Sequence, residues 1–265
     1  MFLEPHISGH PCYQRALQVV REARQAGAAP LWLDAGAAVG TDIRQLRVDG
    51  LGEGEVAALD IPESQHYWQV GLDLYQDADR PPCQALFGDI CDGAVLPPQP
   101  AGQRQQPQAE GAQGQEGQDG PRRRWRSIAE LAGRVHVASC SAVLHCLGRE
   151  QVEQLLRKAA LLLRPGGLLL GSTLGAPTPR EWVAAYQSGR TRWLHSAQSL
   201  KALLEGLGYE QVEVEPTRWR DVDRNMQAVR RIVESHVGRQ LDMEERCMLA
   251  FTAVRPAAAP EAAAV

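Results

Sequence analysis

Leu31-Trp32-Leu33-Asp34-Ala35-Gly36-Ala37-Ala38-Val39-Gly40-Thr41-Asp42-Ile43-Arg44-Gln45-Leu46 is the stretch that decides the fold. An apolar run ends in an acid, passes two glycines four residues apart, and enters residues with helical spacing. This predicts a strand over 31–34, a tight turn, and a helix from about Thr41 to Val48. In α/β sheets that unit brings bare backbone against a nucleotide. Gly36 and Gly40 lack the Cβ atoms that block close approach, and Asp34 stands at the carboxyl end of the strand.

Working outward, Leu17, Val20 and Ala23 give residues 11–27 helical spacing, with Gly27 as a stop. Downstream, Glu55–Asp60 reads as a second strand, and Ser64–Tyr75 as a helix with Trp68, Leu72 and Tyr75 on one face. Cys83–Gly88 is a third strand, followed by Asp89. Arg134–Ser139 and Gly167–Thr173 are the next strands, with a helix at Arg149–Leu163 between them. A short helix is predicted near Arg180–Gln187. An amphipathic helix at Ser196–Leu207 carries Leu200, Leu203, Leu204 and Leu207, with Gly208 as its stop. Tyr209–Glu215 alternates like a strand, Asp221–Val237 reads as a helix, and Cys247–Val254 as the last strand. Alternating β and α units predict an α/β, doubly wound, Rossmann-like and mostly parallel sheet of seven strands, with helices on both faces.

The alternation breaks at residues 93–126, which are rich in Gln, Gly and Pro and almost free of aliphatic side chains. Such a stretch buries too little to offset its ordering entropy, so it is read as a disordered insertion. Its basic knot, Arg122-Arg123-Arg124-Trp125-Arg126, has two readings, a nucleic-acid contact or a solvated loop end. The acidic balance of the rest favours the second. Residues 1–255 form one expected domain, and the Ala/Pro tail at 256–265 is expected to be flexible.

Composition narrows the function classes. With 265 residues, 44% of them hydrophobic, the chain can bury one sizeable core. A net charge of -4 speaks against a dedicated nucleic-acid binder. The stretch Leu161–Gly171 is interrupted by Arg164-Pro165-Gly166-Gly167, and no apolar run approaches the roughly 18–20 residues of a membrane span, so none is expected. The first ten residues lack the basic start and apolar core of a secretory signal, which makes the cytoplasm the expected location. Six cysteines show neither CxxC nor zinc spacing, so reduced, mostly buried thiols and no metal site are expected.

In a sheet of this kind ligands collect beyond the carboxyl ends of the strands. Asp60 closes the second strand, 20 residues past Gly40, where a carboxylate can grip two ribose hydroxyls. Asp89, in Phe87-Gly88-Asp89-Ile90, is placed to accept from an adenine amino group. Each acid taken singly also reads as a strand-end turn residue. Acids at three successive strand ends are harder to explain that way.

Asp34-x-Gly36-x-x-x-Gly40, Asp60, Gly88-Asp89-Ile90, Ser139–His145 and Leu163-Arg164-Pro165-Gly166-Gly167 resemble, in order over residues 28–175, the motif series of class I S-adenosylmethionine-dependent methyltransferases. A finer pattern runs Leu33-Asp34-x-Gly36-x-x-x-Gly40-x-Asp42-Ile43-Arg44-x-Leu46-x-x-Asp49-Gly50, then Tyr67-Trp68-x-x-Gly71-x-x-Leu74-Tyr75-x-Asp77. With Leu144-His145 and Trp193-Leu194-His195-Ser196-x-x-Ser199-Leu200, it is similar to small fungal methyltransferases of meroterpenoid and polyketide biosynthesis. The general family often has glycine where this chain and that subgroup have Ala38 or its equivalent, and the Gln-rich insertion departs from the family. The resemblance implies an antiparallel last strand and S-adenosylmethionine as cofactor. It implies that Asp34 helps hold the amino-acid end and that Gly36 and Gly40 flank the methionine and ribose. Asp60 would bind the ribose, Asp89 the adenine, with Ile61 or Ile90 packed on the ring. Residues 139–145, Ser139 and Ser141 among them, would line the sulfonium side. Asp42 has two readings, approach to the cofactor's ammonium or capping of its own helix.

The activity implied is O-methylation of a small, largely apolar metabolite, with an acceptor region over 176–240 that contains Trp182, Tyr186, Trp193 and Trp219. A carboxylate acceptor needs no base at pH 7, whereas an alcohol does. His145 and His195 are the candidate bases, each with a structural role as its alternative, and His10 is a weaker third. Two rival readings stand beside this one. A nicotinamide-dependent oxidoreductase would want GxGxxG, which Gly36-Ala37-Ala38-Val39-Gly40 does not supply. A non-catalytic protein of the same fold would bind a partner through the 93–126 loop.

Overall fold

Every residue of Trp32–Ala35 is buried, and the side chains alternate between two apolar layers, so both faces of this central strand are covered. The computed structural model describes residues 5–92, 125–183, 191–218 and 246–257. In chain order the elements are α1 (Tyr13–Gln25), β1 (Trp32–Ala35), α2 (Thr41–Val48), β2 (Val56–Asp60), α3 (Gln65–Tyr75) and β3 (Gln84–Phe87). After residue 124 come β4 (Val135–Ser139), α4 (Arg149–Leu162), β5 (Leu163–Gly175), β6 (Arg180–Val183), β7 (Thr191–Leu194), α5 (Ala197–Gly206), β8 (Glu210–Arg218) and β9 (Cys247–Val254).

The main sheet has seven strands in the order β3-β2-β1-β4-β5-β9-β8. The first five strands run parallel, and β9 lies antiparallel between β5 and β8. The doubly wound, mostly parallel architecture with an antiparallel last strand is therefore present. The strand order reverses between β1 and β4, and such a reversal opens a crevice above the carboxyl ends of those two strands. Register puts Asp34 beside Ala58 and Ser139, at the rim of that crevice.

One apolar layer joins Leu33, Leu59 and Phe251 to Leu156 of α4 and Leu200 and Leu204 of α5. The other joins Trp32, Val56 and Leu170 to Ile7, to Leu17 of α1 and to Ile43 and Leu46 of α2. Burial on this scale, at roughly 25 cal/mol per Å² of apolar surface, is what holds the helices to the sheet. All six cysteines are free thiols, with Cys83, Cys140 and Cys247 buried and Cys12, Cys91 and Cys146 half-buried. Among the described residues no helix is long and apolar enough to cross a membrane.

Two expectations need correction. The helix predicted near Arg180–Gln187 is instead, over its described part, strand β6, which pairs antiparallel with β7. Trp182 and Val183 favour a strand, and β7 satisfies their backbone groups across the ladder in a way a helix-period reading does not anticipate. The expected insertion also ends earlier than 126. Trp125 is buried, its N–H donates to Gln84 Oε1 at 2.7 Å, and its carbonyl accepts from Gln84 Nε2. Residues 93–124, the predicted helix Asp221–Val237, Tyr186, Trp219 and most of the tail lie outside the described residues.

Candidate active site

The turn after β1 is built from three left-handed residues in five, with φ of +82° at Gly36, +48° at Ala38 and +73° at Gly40. Gly36 N–H donates to Leu59 O at 2.7 Å and Gly40 N–H to Ala37 O at 2.7 Å, which closes the turn onto β2. A Cβ on Gly36 would overlap the Val143 side chain, and one on Gly40 would meet Arg44 NH1 and Trp68 Cζ3 at 2.7 Å. Both glycines are thus required by the chain's own packing and dihedrals, not only by approach to a ligand. Ala38 holds a conformation that costs a non-glycine residue about 1–2 kcal/mol. Asp60 Oδ2 offsets this by accepting the Ala38 N–H at 2.8 Å.

That hydrogen bond joins the first two predicted acids through one turn. The Gly88 N–H donates to Asp60 O at 2.9 Å, which brings the Asp89 segment alongside. Asp89 is exposed, and its Oδ1 accepts the Cys91 N–H at 2.8 Å in a local turn. The second Asp60 oxygen accepts the N–H of Ile61. The Ile61 side chain is 43% exposed, whereas Ile90 is buried.

Asp34 is the unusual member, a carboxyl only 3% exposed. Its one hydrogen-bond donor among the described residues is the Ser139 hydroxyl at 2.8 Å, which itself accepts from Trp32 Nε1 at 2.8 Å. Burial foremost, then the charges of Asp42 and Asp60, outweigh that hydrogen bond and push Asp34 up to about 8. Asp42 neither caps its helix nor points into open space. Its Oδ1 accepts the N–H groups of His6 at 2.6 Å and Ile7 at 3.1 Å, and burial raises its pKa all the same. Ser139 is thus taken up by Asp34, whereas the buried Ser141 Oγ has no partner among the described residues.

The candidate bases gather where β5 ends. His145, on a single 3-10 turn, donates its N–H to Thr173 Oγ1 at 3.1 Å, and its Nδ1 accepts the Leu174 N–H at 3.4 Å. Burial works against the charged ring, but the adjoining Cys146 thiol prevails and raises the His145 pKa. His195, 5% exposed, follows β7, and its carbonyl accepts the Ala176 N–H at 2.9 Å. Its Nδ1 lies 3.1 Å from Ser199 Oγ, and its buried Nε2 has no partner among the described residues. Burial, followed by the charge of Arg149, lowers its pKa to about 4. Trp193 stands edge-on to His195 at 6.1 Å, and among the described residues its buried Nε1 also has no partner. His10 is removed from candidacy, because Nδ1 accepts the Cys12 N–H at 3.1 Å and Nε2 donates to Gly171 O at 3.1 Å. Among the described residues no group of His, Cys, Asp and Glu is arranged to hold a metal ion. Sequence reasoning missed Thr173, which anchors His145, and the tie from Arg44 to Asp77. Nothing in the local pattern of either flags a contact across 28 or 33 residues.

A reversed strand order with a glycine turn, a buried acid and a second acid at the crevice defines a class I methyltransferase-type site. A family model described as a methyltransferase domain matches residues 6–214, and the chain belongs to that family. Membership sets the oxidoreductase reading aside. None of the curated proteins compared with the chain matches it. Among solved structures it is similar to phosphoethanolamine N-methyltransferase 2 of Haemonchus contortus, described with phosphomonomethylethanolamine and S-adenosylhomocysteine. There the TM-score is 0.52 at 14% identity, over 91% of this chain and 52% of that one. This chain therefore spans about half the length of that enzyme. It is similar to the 1,6-didemethyltoxoflavin N1-methyltransferase of Burkholderia thailandensis, with a TM-score of 0.50 and 15% identity, over 94% and 80% of the two chains. The (4+2)-cyclase SpnF gives 0.53 at 14% identity, over 92% and 81%. At these identities the likeness is one of fold, and the cyclase shows that this fold does not by itself fix a reaction.

Proposed function

We propose that the chain transfers a methyl group from S-adenosylmethionine to an oxygen of a small, largely apolar metabolite. The observation that carries this reading is Asp34, a carboxyl buried at the turn with a neutral hydroxyl as its hydrogen-bond donor and two further acids nearby. Among the described residues the charges that act on Asp34 are those of the acids Asp42 and Asp60, and a ligand bearing an ammonium and a sulfonium would supply a compensating positive charge. The residues fit that ligand. Asp34 would face the amino-acid end, with Gly36 and Gly40 flanking the methionine and ribose. Asp60 would hold the ribose hydroxyls and Asp89 the adenine amino group. Ile61 and Ile90 would pack on the ring, and the unpartnered Ser141 hydroxyl would line the sulfonium side. The descriptions of two of the similar structures, which name S-adenosylhomocysteine, support the same reading.

When bound, the cofactor supplies an electrophilic methyl with an excellent leaving group. The chain's own contribution is then positioning, which is worth on the order of 7–11 kcal/mol when reacting atoms are held in line. Neither histidine suits a strong base. His195 is lowered to about 4, well below working pH, and the Nδ1 of His145 already accepts a backbone N–H. The acceptor oxygen this favours is one already anionic near pH 7, that of a carboxylate. Incubation of the protein with methyl-labelled S-adenosylmethionine and a panel of apolar carboxylic acids and alcohols checks this. The expected product is an ester that releases labelled methanol in mild alkali, and His195→Ala keeps more than about a tenth of the rate. Label only in alkali-stable ethers or amines would contradict the oxygen-anion reading.

A further inference from the structure

The glycine turn is held from behind by one side chain. Arg44, in the first turn of α2, sends Nε and one terminal nitrogen to the two oxygens of Asp77, each at 2.8 Å. The other terminal nitrogen donates to Val39 O at 2.7 Å and Gly40 O at 2.9 Å, the last two carbonyls of the turn. The guanidinium lies 4.2 Å from the centre of the Tyr75 ring, and the Tyr75 hydroxyl is 3.3 Å from Thr41 Oγ1. Gly71 completes the brace, since a Cβ there would overlap the Val39 carbonyl oxygen. One planar, permanently charged group thus ties α2, the end of α3 and the turn into a single unit, which an ammonium cannot reproduce. The pair is largely shielded, at 14% and 24% side-chain exposure, so solvent weakens it less than an ordinary surface ion pair.

We propose that Arg44, fixed by Asp77, is a positioning residue that holds the Gly36–Gly40 turn in its ligand-ready shape. With the Val39 and Gly40 carbonyls drawn outward to Arg44, the three left-handed residues keep their dihedrals and the Ala38 N–H stays on Asp60. This rests on the reading of that turn as the cofactor cradle. The four hydrogen bonds of Arg44 all go to Asp77 and to backbone carbonyls, so its role is expected to show in cofactor affinity and not in acceptor recognition.

Calorimetric titration of the full chain with S-adenosylhomocysteine tests it. Arg44→Ala is expected to weaken binding at least about tenfold, and millimolar guanidinium to restore much of the loss while leaving wild type unchanged. Arg44→Lys is expected to bind nearly as weakly as Arg44→Ala, because it cannot fork between carboxylate and carbonyls. Should Arg44→Ala fail to fold, Asp77→Asn, which keeps the shape, is expected to lose about threefold in affinity with little change in melting temperature. A folded Arg44→Ala or Asp77→Asn that binds as tightly as wild type overturns the proposal, as does a loss that guanidinium leaves untouched. Absence of binding by the wild type itself would instead remove the cofactor reading on which the brace depends.

Discussion

Asp34→Asn is expected to melt higher than the wild type at neutral pH while losing most of its affinity for S-adenosylhomocysteine. The folded Asp34 carboxyl has its pKa raised from 3.8 to about 8, with burial as the leading cause, so it retains a proton that the unfolded chain releases. The sign follows from linkage. A raised acid pKa costs the native state nothing below pH 3.8, and the penalty grows as pH climbs from there towards 8. At pH 7 it is on the order of a few kcal/mol, or several degrees in melting temperature for a chain of this size. Asparagine has no charge to suppress, and its amide oxygen can still accept the Ser139 hydroxyl. The melting advantage should shrink towards zero near pH 4. On the proposed reading, what the variant forfeits is the negative charge that Asp34 would take on when the cofactor's ammonium binds beside it, so the acid would be retained for binding at the expense of stability. An Asp34→Asn protein that melts lower at pH 7, or that binds as wild type does, would remove this explanation of the buried acid.

Acid is expected to destabilise the fold through its buried histidines, over a window that overlaps the Asp34 effect but with opposite sign. His195 is lowered from 6.5 to about 4, and His10 and His136 are also lowered, each chiefly by burial. A histidine whose folded pKa is depressed is neutral in both states above 6.5, so its burial carries no ionisation penalty there. As pH falls from 6.5 towards 4 the unfolded chain takes up the proton and the native state does not, and stability is lost. For His195 alone this reaches about 3 kcal/mol near pH 4. His195→Ala should therefore melt below wild type at pH 7, where a cavity forms. Its melting temperature should fall less steeply between pH 6.5 and 4. Parallel pH profiles for the two proteins would show that His195 is not buried as a neutral ring.

The architecture was legible because its elements carry strong local signals. α2 runs over Thr41–Val48 and β9 over Cys247–Val254, as the periodicities indicate, and the five parallel strands fall within a few residues of their predicted positions. The hairpin of β6 and β7 was not legible. Arg180–Val183 has no period of its own, and only pairing with Thr191–Leu194 makes it a strand. The boundary of the insertion was misplaced for a similar reason. Trp125 sits in a charged run, yet both of its backbone groups find Gln84, 41 residues away.

For the site, the acids at the strand ends were legible as positions along the sheet rim, but their environments could not be read. Nothing near Asp34 in sequence shows that its partner is Ser139, that Asp42 is taken by the backbone of His6 and Ile7, or that Ser141 is left unpartnered. The turn at the two glycines was legible, but not the packing that requires them. Their positive φ and their packing against Val143, Arg44 and Trp68 depend on elements far along the chain. The same limit applies to His145 and His195, whose titration is set by burial and by Cys146 and Arg149.

Titration of the folded wild-type chain with S-adenosylhomocysteine, in parallel with Asp60→Ala, bears most directly on whether the carboxyl ends of β1, β2 and β3 serve one adenosyl pocket. One-to-one binding by the wild type, weakened at least about tenfold in Asp60→Ala, is the expected result. No binding by a folded wild type, or equal binding by Asp60→Ala, would contradict it.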